Sequence, residues 1–188
     1  MKRIFLNSTL PIVLMGILLA FAPTDTFGQH KARKVKSKKE VVVTPEKQYK
    51  KLPRQGARVT TPPQKTVIIR HGHYDYHFDK GVFYRTIGGS YVVVAPPVGI
   101  RVSVLPAAAY RLHYLNRPYF YYYGVFYTPL PDGAYEVVDA PIGARVDALP
   151  DGYEVFELDG RVYYRLGDTY YKAVVEDNGL VAYEVVRV

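Results

Sequence analysis

Apolar and polar side chains alternate along two segments of the chain. In residues 98–104, valine and isoleucine occupy every second position, and glycine, arginine and serine lie between them. In residues 142–148, isoleucine, alanine and valine take the apolar positions of the same pattern. Because successive side chains of a β-strand point to opposite faces, this period of two predicts strands with one apolar face and one polar face.

The two alternating segments are copies of one motif. Pro97–Pro106 and Pro141–Pro150 both read P-x-G-x-R-V-x-x-L-P, and they start 44 residues apart. Upstream of each copy, Gly81–Tyr84 and Gly124–Tyr127 both read G-V-F-Y, at an offset of 43 residues. Identities of this length predict an internal repeat of about 44 residues.

A further, shorter match extends the repeat towards the C-terminus. Ala134–Val138 and Ala182–Val186 both read A-Y-E-V-V. We therefore predict two complete units at 81–123 and 124–166, followed by a partial unit at 167–188.

Short turn sequences separate the predicted strands. Asp159-Gly160 and Asn178-Gly179 suit hairpin loops, because aspartate, asparagine and glycine tolerate the positive φ angles that such turns need. Gly167-Asp168 suits a hairpin turn whose first residue is glycine. We therefore predict an all-β domain over residues 67–188, built from short antiparallel hairpins in a meander. A sandwich, a barrel or stacked hairpins would all fit this pattern.

Eighteen of the nineteen tyrosines lie in this predicted domain. Neighbouring tyrosines place rings on both faces of a strand, so the outer rings are candidates for a surface that stacks on sugar rings or a partner protein. The candidates are Tyr121, Tyr122, Tyr123, Tyr163, Tyr164, Tyr170 and Tyr171. The alternative is that these tyrosines pack inside half-buried strands, which is the commoner role of aromatic residues there.

The N-terminus has the features of a secretory signal peptide. Lys2 and Arg3 precede an apolar stretch at 10–22, which is shorter than the roughly 20 residues of a membrane-spanning helix. Thr26-Phe27-Gly28 supplies small residues for cleavage after position 28. We therefore predict a signal peptide at 1–28 and export to the periplasm or outer cell envelope of a bacterium. The mature chain would then have no transmembrane span, and an uncleaved anchor is the alternative.

The net charge of +8 is unevenly divided along the chain. Residues 29–66 hold twelve Lys or Arg against two Glu, whereas residues 67–188 hold eleven basic and fourteen acidic residues. High charge with few large apolar residues predicts a disordered basic arm at 29–66. The arm is either a solvated spacer or a segment that binds a polyanion. The candidate polyanion-binding residues are Lys31, Arg33, Lys34, Lys36, Lys38 and Lys39.

Histidine and aspartate alternate at the start of the predicted domain. His71, His73, Asp75 and His77 all occupy odd positions, so on a single strand they would share one face. Alternate residues stand about 6.5–7 Å apart along a strand. At that spacing two histidines can reach one zinc, copper or nickel ion. The segment is therefore a candidate metal site, and a solvent-exposed polar face is the alternative.

No catalytic constellation stands out in the sequence. Ser90 and Ser103 are the two serines of the predicted domain, and neither lies in the strand–turn–helix setting of a nucleophile. The chain has no cysteine, which removes both a thiol nucleophile and disulfides. Its turn aspartates are expected from turn chemistry alone. We therefore expect no enzymatic activity and no cofactor.

The repeated motif resembles that of a domain-of-unknown-function family of small exported bacterial proteins. Residues about 74–188 carry the resemblance, in the motif P-x-G-x-x-V-x-x-L-P followed by clustered tyrosines. The matching residues are Pro97, Gly99, Val102, Leu105, Pro106, Tyr121–Gly124 and Tyr127, then Pro141, Gly143, Val146, Leu149, Pro150, Tyr163, Tyr164, Gly167, Tyr170 and Tyr171. The resemblance implies a cell-envelope location and no assigned activity.

Three functions remain open on sequence grounds. The leading hypothesis is a non-catalytic binding or structural module of the cell envelope, whose arm contacts an anionic polymer or glycan and whose body docks on a partner protein. The alternatives are a periplasmic transition-metal binder that uses the segment 71–79, and a glycan-acting enzyme with two close carboxylates. Exposed edge strands could also support self-association. We expect no specific nucleic-acid recognition, because the basic charge belongs to the arm alone.

Overall fold

The computed structural model of the protein describes residues 33–34, 49–60 and 65–188. The predicted signal peptide and most of the predicted arm lie outside these residues. The described residues form sixteen strands, joined by turns, and no helix. The all-β prediction is therefore confirmed.

The strands form three antiparallel sheets that follow one another along the chain. The first sheet contains β2 (Arg58–Val59), β3 (Val67–His71), β4 (Tyr74–Asp79), β5 (Val82–Ile87) and β6 (Ser90–Val94). The second contains β7 (Arg101–Val102), β8 (Tyr110–Tyr114), β9 (Arg117–Tyr122), β10 (Val125–Pro129) and β11 (Tyr135–Val138). The third contains β12 (Arg145–Val146), β13 (Glu154–Leu158), β14 (Arg161–Leu166), β15 (Thr169–Val175) and β16 (Val181–Val186). The additional strand β1 (Arg33–Lys34) pairs with β13.

All three sheets have the same internal order. A two-residue strand comes first, a four-stranded meander follows, and the two-residue strand then pairs with the last strand of the meander. A glycine two residues before that short strand anchors it in each sheet. The N–H groups of Gly56, Gly99 and Gly143 donate to the carbonyl oxygens of Val93, Val137 and Val185 at 3.0, 2.9 and 2.8 Å. The residues that the structure describes therefore contain three repeats of the same sheet, of similar size.

The repeat begins earlier than the sequence analysis placed it. β2 and the preceding residues from Tyr49 onwards belong to the folded body, although they fall within the range 29–66 that was predicted to be a disordered arm. The ring of Tyr49 is buried and meets the rings of Tyr122 and Tyr123 edge to face, at centroid distances of 5.5 and 5.8 Å. Burial of a large aromatic ring is a strong reason for this segment to be ordered.

Two-residue turns with positive φ angles set the register of the hairpins. Asp159 and Gly160 have φ angles of 51° and 72°, and they join β13 to β14 as predicted. Gly167, with φ of 60°, starts the predicted turn between β14 and β15. Such turns match the right-handed twist of the strands that they connect, which is why Asp-Gly and Gly-Asp sequences locate hairpins reliably.

Adjacent repeats pack closely at these hairpin turns. The turn glycine Gly81 of the first repeat lies against the ring of Tyr122 and against Pro106, both from the second repeat. At the equivalent place between the second and third repeats, Gly124 lies against Leu166. Both glycines have φ of 84°, so each position needs glycine for its backbone angle and for the space that its neighbour occupies.

The core is built largely from aromatic rings. Tyr84, Tyr127 and Tyr171 occupy the same position of the third long strand in their repeats, and all three are buried. Tyr121 and Phe126, on neighbouring strands of the second sheet, pack with their ring centroids 5.0 Å apart. Because the chain has no cysteine, packing of this kind and backbone hydrogen bonds stabilise the fold.

Candidate functional site

The predicted metal segment is a hairpin rather than a single strand. β3 ends at His71, Gly72 and His73 form the turn, and β4 begins at Tyr74. Gly72 has φ of 59°, as expected for the first residue of a two-residue hairpin turn with glycine in that place. The alternation of histidine and aspartate therefore does not place these side chains on one face, and this premise of the metal hypothesis is wrong.

The register of the hairpin separates the candidate ligands. His71 pairs with Tyr74 and so lies on the face opposite to Asp75 and His77. Asp75 is engaged by Arg70, whose Nε donates to its Oδ1 at 2.9 Å. This bond from Arg70 lowers the pKa of the Asp75 carboxyl. Throughout the described part of the chain, no group of three or more His, Asp or Glu side chains could hold a metal ion.

Most of the predicted aromatic surface is part of the core. Five of the predicted rings are buried, each at most 8% exposed, and they are those of Tyr121, Tyr122, Tyr123, Tyr164 and Tyr171. They correct the prediction of a surface platform and support the packing alternative.

Tyr163 and Tyr170 remain half-buried, and they flank Phe156 on the third sheet. The ring of Tyr163 stacks on that of Phe156 at 5.7 Å, and the ring of Tyr170 meets it edge to face at 5.8 Å. This trio is the part of the aromatic prediction that lies at the surface.

Several tyrosine hydroxyls lie in the core, namely those of Tyr49, Tyr121, Tyr127 and Tyr171. The hydroxyl of Tyr127 has no hydrogen-bond partner. Burial strongly raises the pKa of Tyr127, and it also raises the pKa of the Asp147 carboxyl. Neutral phenols are therefore the stable form of these tyrosines inside the protein.

The hydroxyl of Tyr127 offers a direct test of this arrangement. Because it has no partner, Tyr127→Phe should leave the free energy of unfolding unchanged or raise it by up to about 1 kcal/mol. Tyr123→Phe is the matched control, since the Tyr123 hydroxyl donates to the carbonyl oxygen of Pro53. That variant should lose about 1 kcal/mol. Urea denaturation of the three proteins measures the difference, and a larger loss for Tyr127→Phe would contradict the assignment.

A cavity of about 250 Å³ lies where segments of all three repeats meet. It is lined by Gln55 before β2, by the loops that follow β6 and β11, and by the turns before β10 and β15. Asp139 and Asp168 supply carboxylates to its wall, and both residues are exposed to solvent. A carboxyl that acts as a general acid usually lies in an apolar setting. The carboxylates of Asp139 and Asp168 differ from such a group in being exposed to solvent.

Of the six predicted polyanion-binding residues, the structure describes Arg33 and Lys34. They form β1, in which Arg33 lies opposite Glu157 and Lys34 lies opposite Phe156 on the edge strand β13. Lys31, Lys36, Lys38 and Lys39 lie outside the described residues. β1, which belongs to the basic arm, thus pairs with an acidic strand of the body.

Comparison with known proteins gives a family without an assigned activity. The model of one protein family matches residues 35–188. The chain belongs to DUF6515, a family of unknown function. The match covers all three repeats and begins within the basic arm, so it extends further than the motifs at 74–188. No curated protein and no solved structure matches the chain.

The DUF6515 match includes a copy of the motif that the sequence analysis missed. Gly56-Ala57-Arg58-Val59 is identical to Gly143-Ala144-Arg145-Val146, and it occupies the same place in its sheet. A search for the four-residue core G-A-R-V would have found it. The copy lies among basic and proline residues, a composition that is typical of a disordered segment.

The described part of this DUF6515 protein contains no helix that is long and apolar enough to cross a membrane.

Proposed function

We propose that the protein is an exported, non-catalytic binding or structural module of the bacterial cell envelope, and that its basic arm contacts an anionic envelope polymer. The observation that carries the proposal is the division of charge. Residues 29–48, which precede the folded body, have seven basic residues against two acidic ones, whereas residues 49–188 have sixteen against fourteen. The arm thus has a net charge of +5 in twenty residues and the body +2 in 140 residues, so a polyanion would be attracted more strongly to the arm.

Contacts within the body support this division. Arg101 binds Glu136 at 2.9 Å, and Arg145 binds Glu184 at 3.0 Å, each from a short strand to the last strand of the same repeat. Lys172 also binds Glu184, at 2.8 Å. Exposed pairs of this kind add little stability. They do neutralise the local field, so these side chains offer a polyanion little free positive charge.

The form of the body supports a role as a scaffold or presenter. Its large aromatic side chains fill the core, and its cavity lacks a buried carboxyl of the kind that acid catalysis uses. A fold without disulfides that is held by aromatic packing is compatible with export, as is the signal peptide predicted at 1–28. The half-exposed trio of Phe156, Tyr163 and Tyr170 is the place on the third sheet where a partner protein or a sugar ring could stack.

Neutralising two arm lysines should weaken polyanion binding strongly. A lysine near an anionic surface contributes about 1 kcal/mol, so Lys38→Gln with Lys39→Gln should weaken binding about thirtyfold. The measurement is binding of the mature chain, residues 29–188, to isolated cell-envelope fractions and to heparin at low and high salt. High salt should release the wild-type chain, because screening acts on exposed charges.

The matched control removes the same charge from the body. Arg161 and Arg187 are exposed, and replacing both with glutamine changes the net charge by the same two units. This variant should bind within about threefold of the wild-type chain. Equal losses in the two variants would mean that net charge matters and the arm does not. Binding that does not weaken at high salt would indicate that the sheets, rather than the arm, recognise the envelope polymer.

A further inference from the structure

The first long strand of each repeat is the outermost strand of its four-stranded meander. β3, β8 and β13 occupy this equivalent position, next to β4, β9 and β14. An edge strand presents unpaired N–H and C=O groups, so it can accept a further extended segment. In the described part of the chain, β13 carries such a segment, which is β1, while β3 and β8 do not.

Charge distinguishes β13 from the other two edges. β3 reads V-I-I-R-H and β8 reads Y-R-L-H-Y, so each carries one arginine and no acidic residue. β13 reads E-V-F-E-L and carries two glutamates. The three edges have the same position in the fold, and the one that holds a basic strand is the acidic one. The three repeats thereby act as internal controls for one another.

The register of β1 on β13 places residues of opposite charge type at paired positions. Arg33 of β1 lies directly across the ladder from Glu157 of β13. Glu157 is exposed, whereas the other glutamate of the strand, Glu154, receives a bond from Arg165 at 2.5 Å. Directly opposed residues in an antiparallel pair are close neighbours, and opposite charges there favour pairing.

We propose that β13 is a docking edge for the basic arm of its own chain, and that a polyanion competes with β13 for the arm. The arm is held on the body when no polyanion is bound and leaves β13 when one binds. This inference rests on the proposed function, since it assigns a regulator to the same basic arm. What it adds to the proposed function is that β13, the acidic edge strand of the third repeat, competes with the polyanion for the arm.

The length of β1 makes the contact reversible. A ladder of two residues has few hydrogen bonds, and short isolated pairings are only marginally stable. A ligand that binds the released arm shifts the balance towards release by mass action. Weakening the contact with β13 therefore strengthens polyanion binding, by at most the factor by which the contact is weakened.

The test compares two variants that each remove one negative charge. Glu157→Gln removes the partner opposite Arg33, and Asp177→Asn removes an exposed carboxylate in the turn between β15 and β16. Heparin is the probe, and the mature chain 29–188 is the protein. Glu157→Gln should bind heparin roughly two- to fivefold more tightly than the wild type, the range expected from one cross-strand charge pair. Asp177→Asn should show a smaller gain.

Amide hydrogen exchange supplies an independent measurement. In the wild type, heparin should accelerate exchange at residues 33–34 and 156–157. Equal gains in the two variants, or unchanged exchange with heparin bound, would contradict docking of the arm on β13 and leave the proposed function intact. A wild-type chain that does not bind heparin would overturn both. If the amides of residues 33–34 lose their protection from exchange on dilution, the arm on β13 belongs to a second copy of the chain. That result would contradict docking within one chain.

Discussion

Tyr171→Ala should lower the free energy of unfolding by about 3–5 kcal/mol, the usual cost of deleting a buried aromatic ring. The adjacent variant Tyr170→Ala should lose only about 1 kcal/mol. Both residues lie on β15, and they point to opposite faces of the third sheet. The comparison of these two variants therefore isolates the effect of burial on stability, because the strand, the repeat and the type of substitution are the same in both.

The reason for the difference is the surroundings of each ring. Tyr171 has no exposed surface, and it belongs to the aromatic core that joins the second and third repeats. Tyr170 is half-buried, and its ring contacts that of Phe156 edge to face. Deleting the first ring leaves a cavity inside the protein, whereas water can fill the space left by the second.

Chemical denaturation with circular dichroism measures both losses. The slope of unfolding against denaturant should stay the same in the two variants, so that the midpoints report stability directly. Equal losses at the two positions would contradict the assignment of Tyr171 to the core. They would instead support the sequence-based hypothesis that both rings belong to an exposed aromatic surface.

Gly81→Ala should destabilise the protein by about 3 kcal/mol, from backbone strain and overpacking together. Gly81 has φ of 84°, a region that residues with a Cβ rarely adopt. An added Cβ would also collide with the ring of Tyr122 and approach the Cγ atom of Pro106 to 2.8 Å. The damage would fall on the contact between the first two repeats.

Gly89→Ala is the matched control for this substitution. Gly89 is the second residue of the neighbouring hairpin turn, and its φ of 75° is similar. A Cβ there would meet nothing within 4 Å, so only the backbone strain remains, at about 1 kcal/mol. Thermal unfolding of both variants measures the gap. Similar losses would show that packing of the repeats against Gly81 contributes little.

The fold was predictable where glycine, asparagine and aspartate mark the turns. The turns at Asp159-Gly160 and Gly167-Asp168 lie where their sequences placed them, because few residues adopt the required φ angles. The turn at Gly72-His73 was missed, although its glycine was the signal. Alternation of polar residues continued through the turn and suggested one strand, and periodicity alone cannot show that a chain reverses.

Burial of the tyrosines was harder to predict. Tyr121, Tyr122 and Tyr123 are consecutive, so alternation places at least one of them on the outer face of its sheet. All three are buried, because neighbouring repeats and the segment from Tyr49 cover that outer face. The pattern along one strand carries no information about which other segments will cover it. That information lies in contacts between residues about 70 positions apart, such as Tyr123 and Pro53.

The way in which each repeat closes has a consequence for the family as a whole. From β2 onwards, the first strand of a repeat pairs with the last strand of the same repeat, and no sheet in the described residues is shared between repeats. The ends of each repeat are therefore adjacent, and its ladder is complete in itself. A unit of this kind can be duplicated or removed without breaking the strand-to-strand hydrogen bonds within the sheets of its neighbours. The architecture is modular, and it permits a chain to lengthen in whole steps of one sheet.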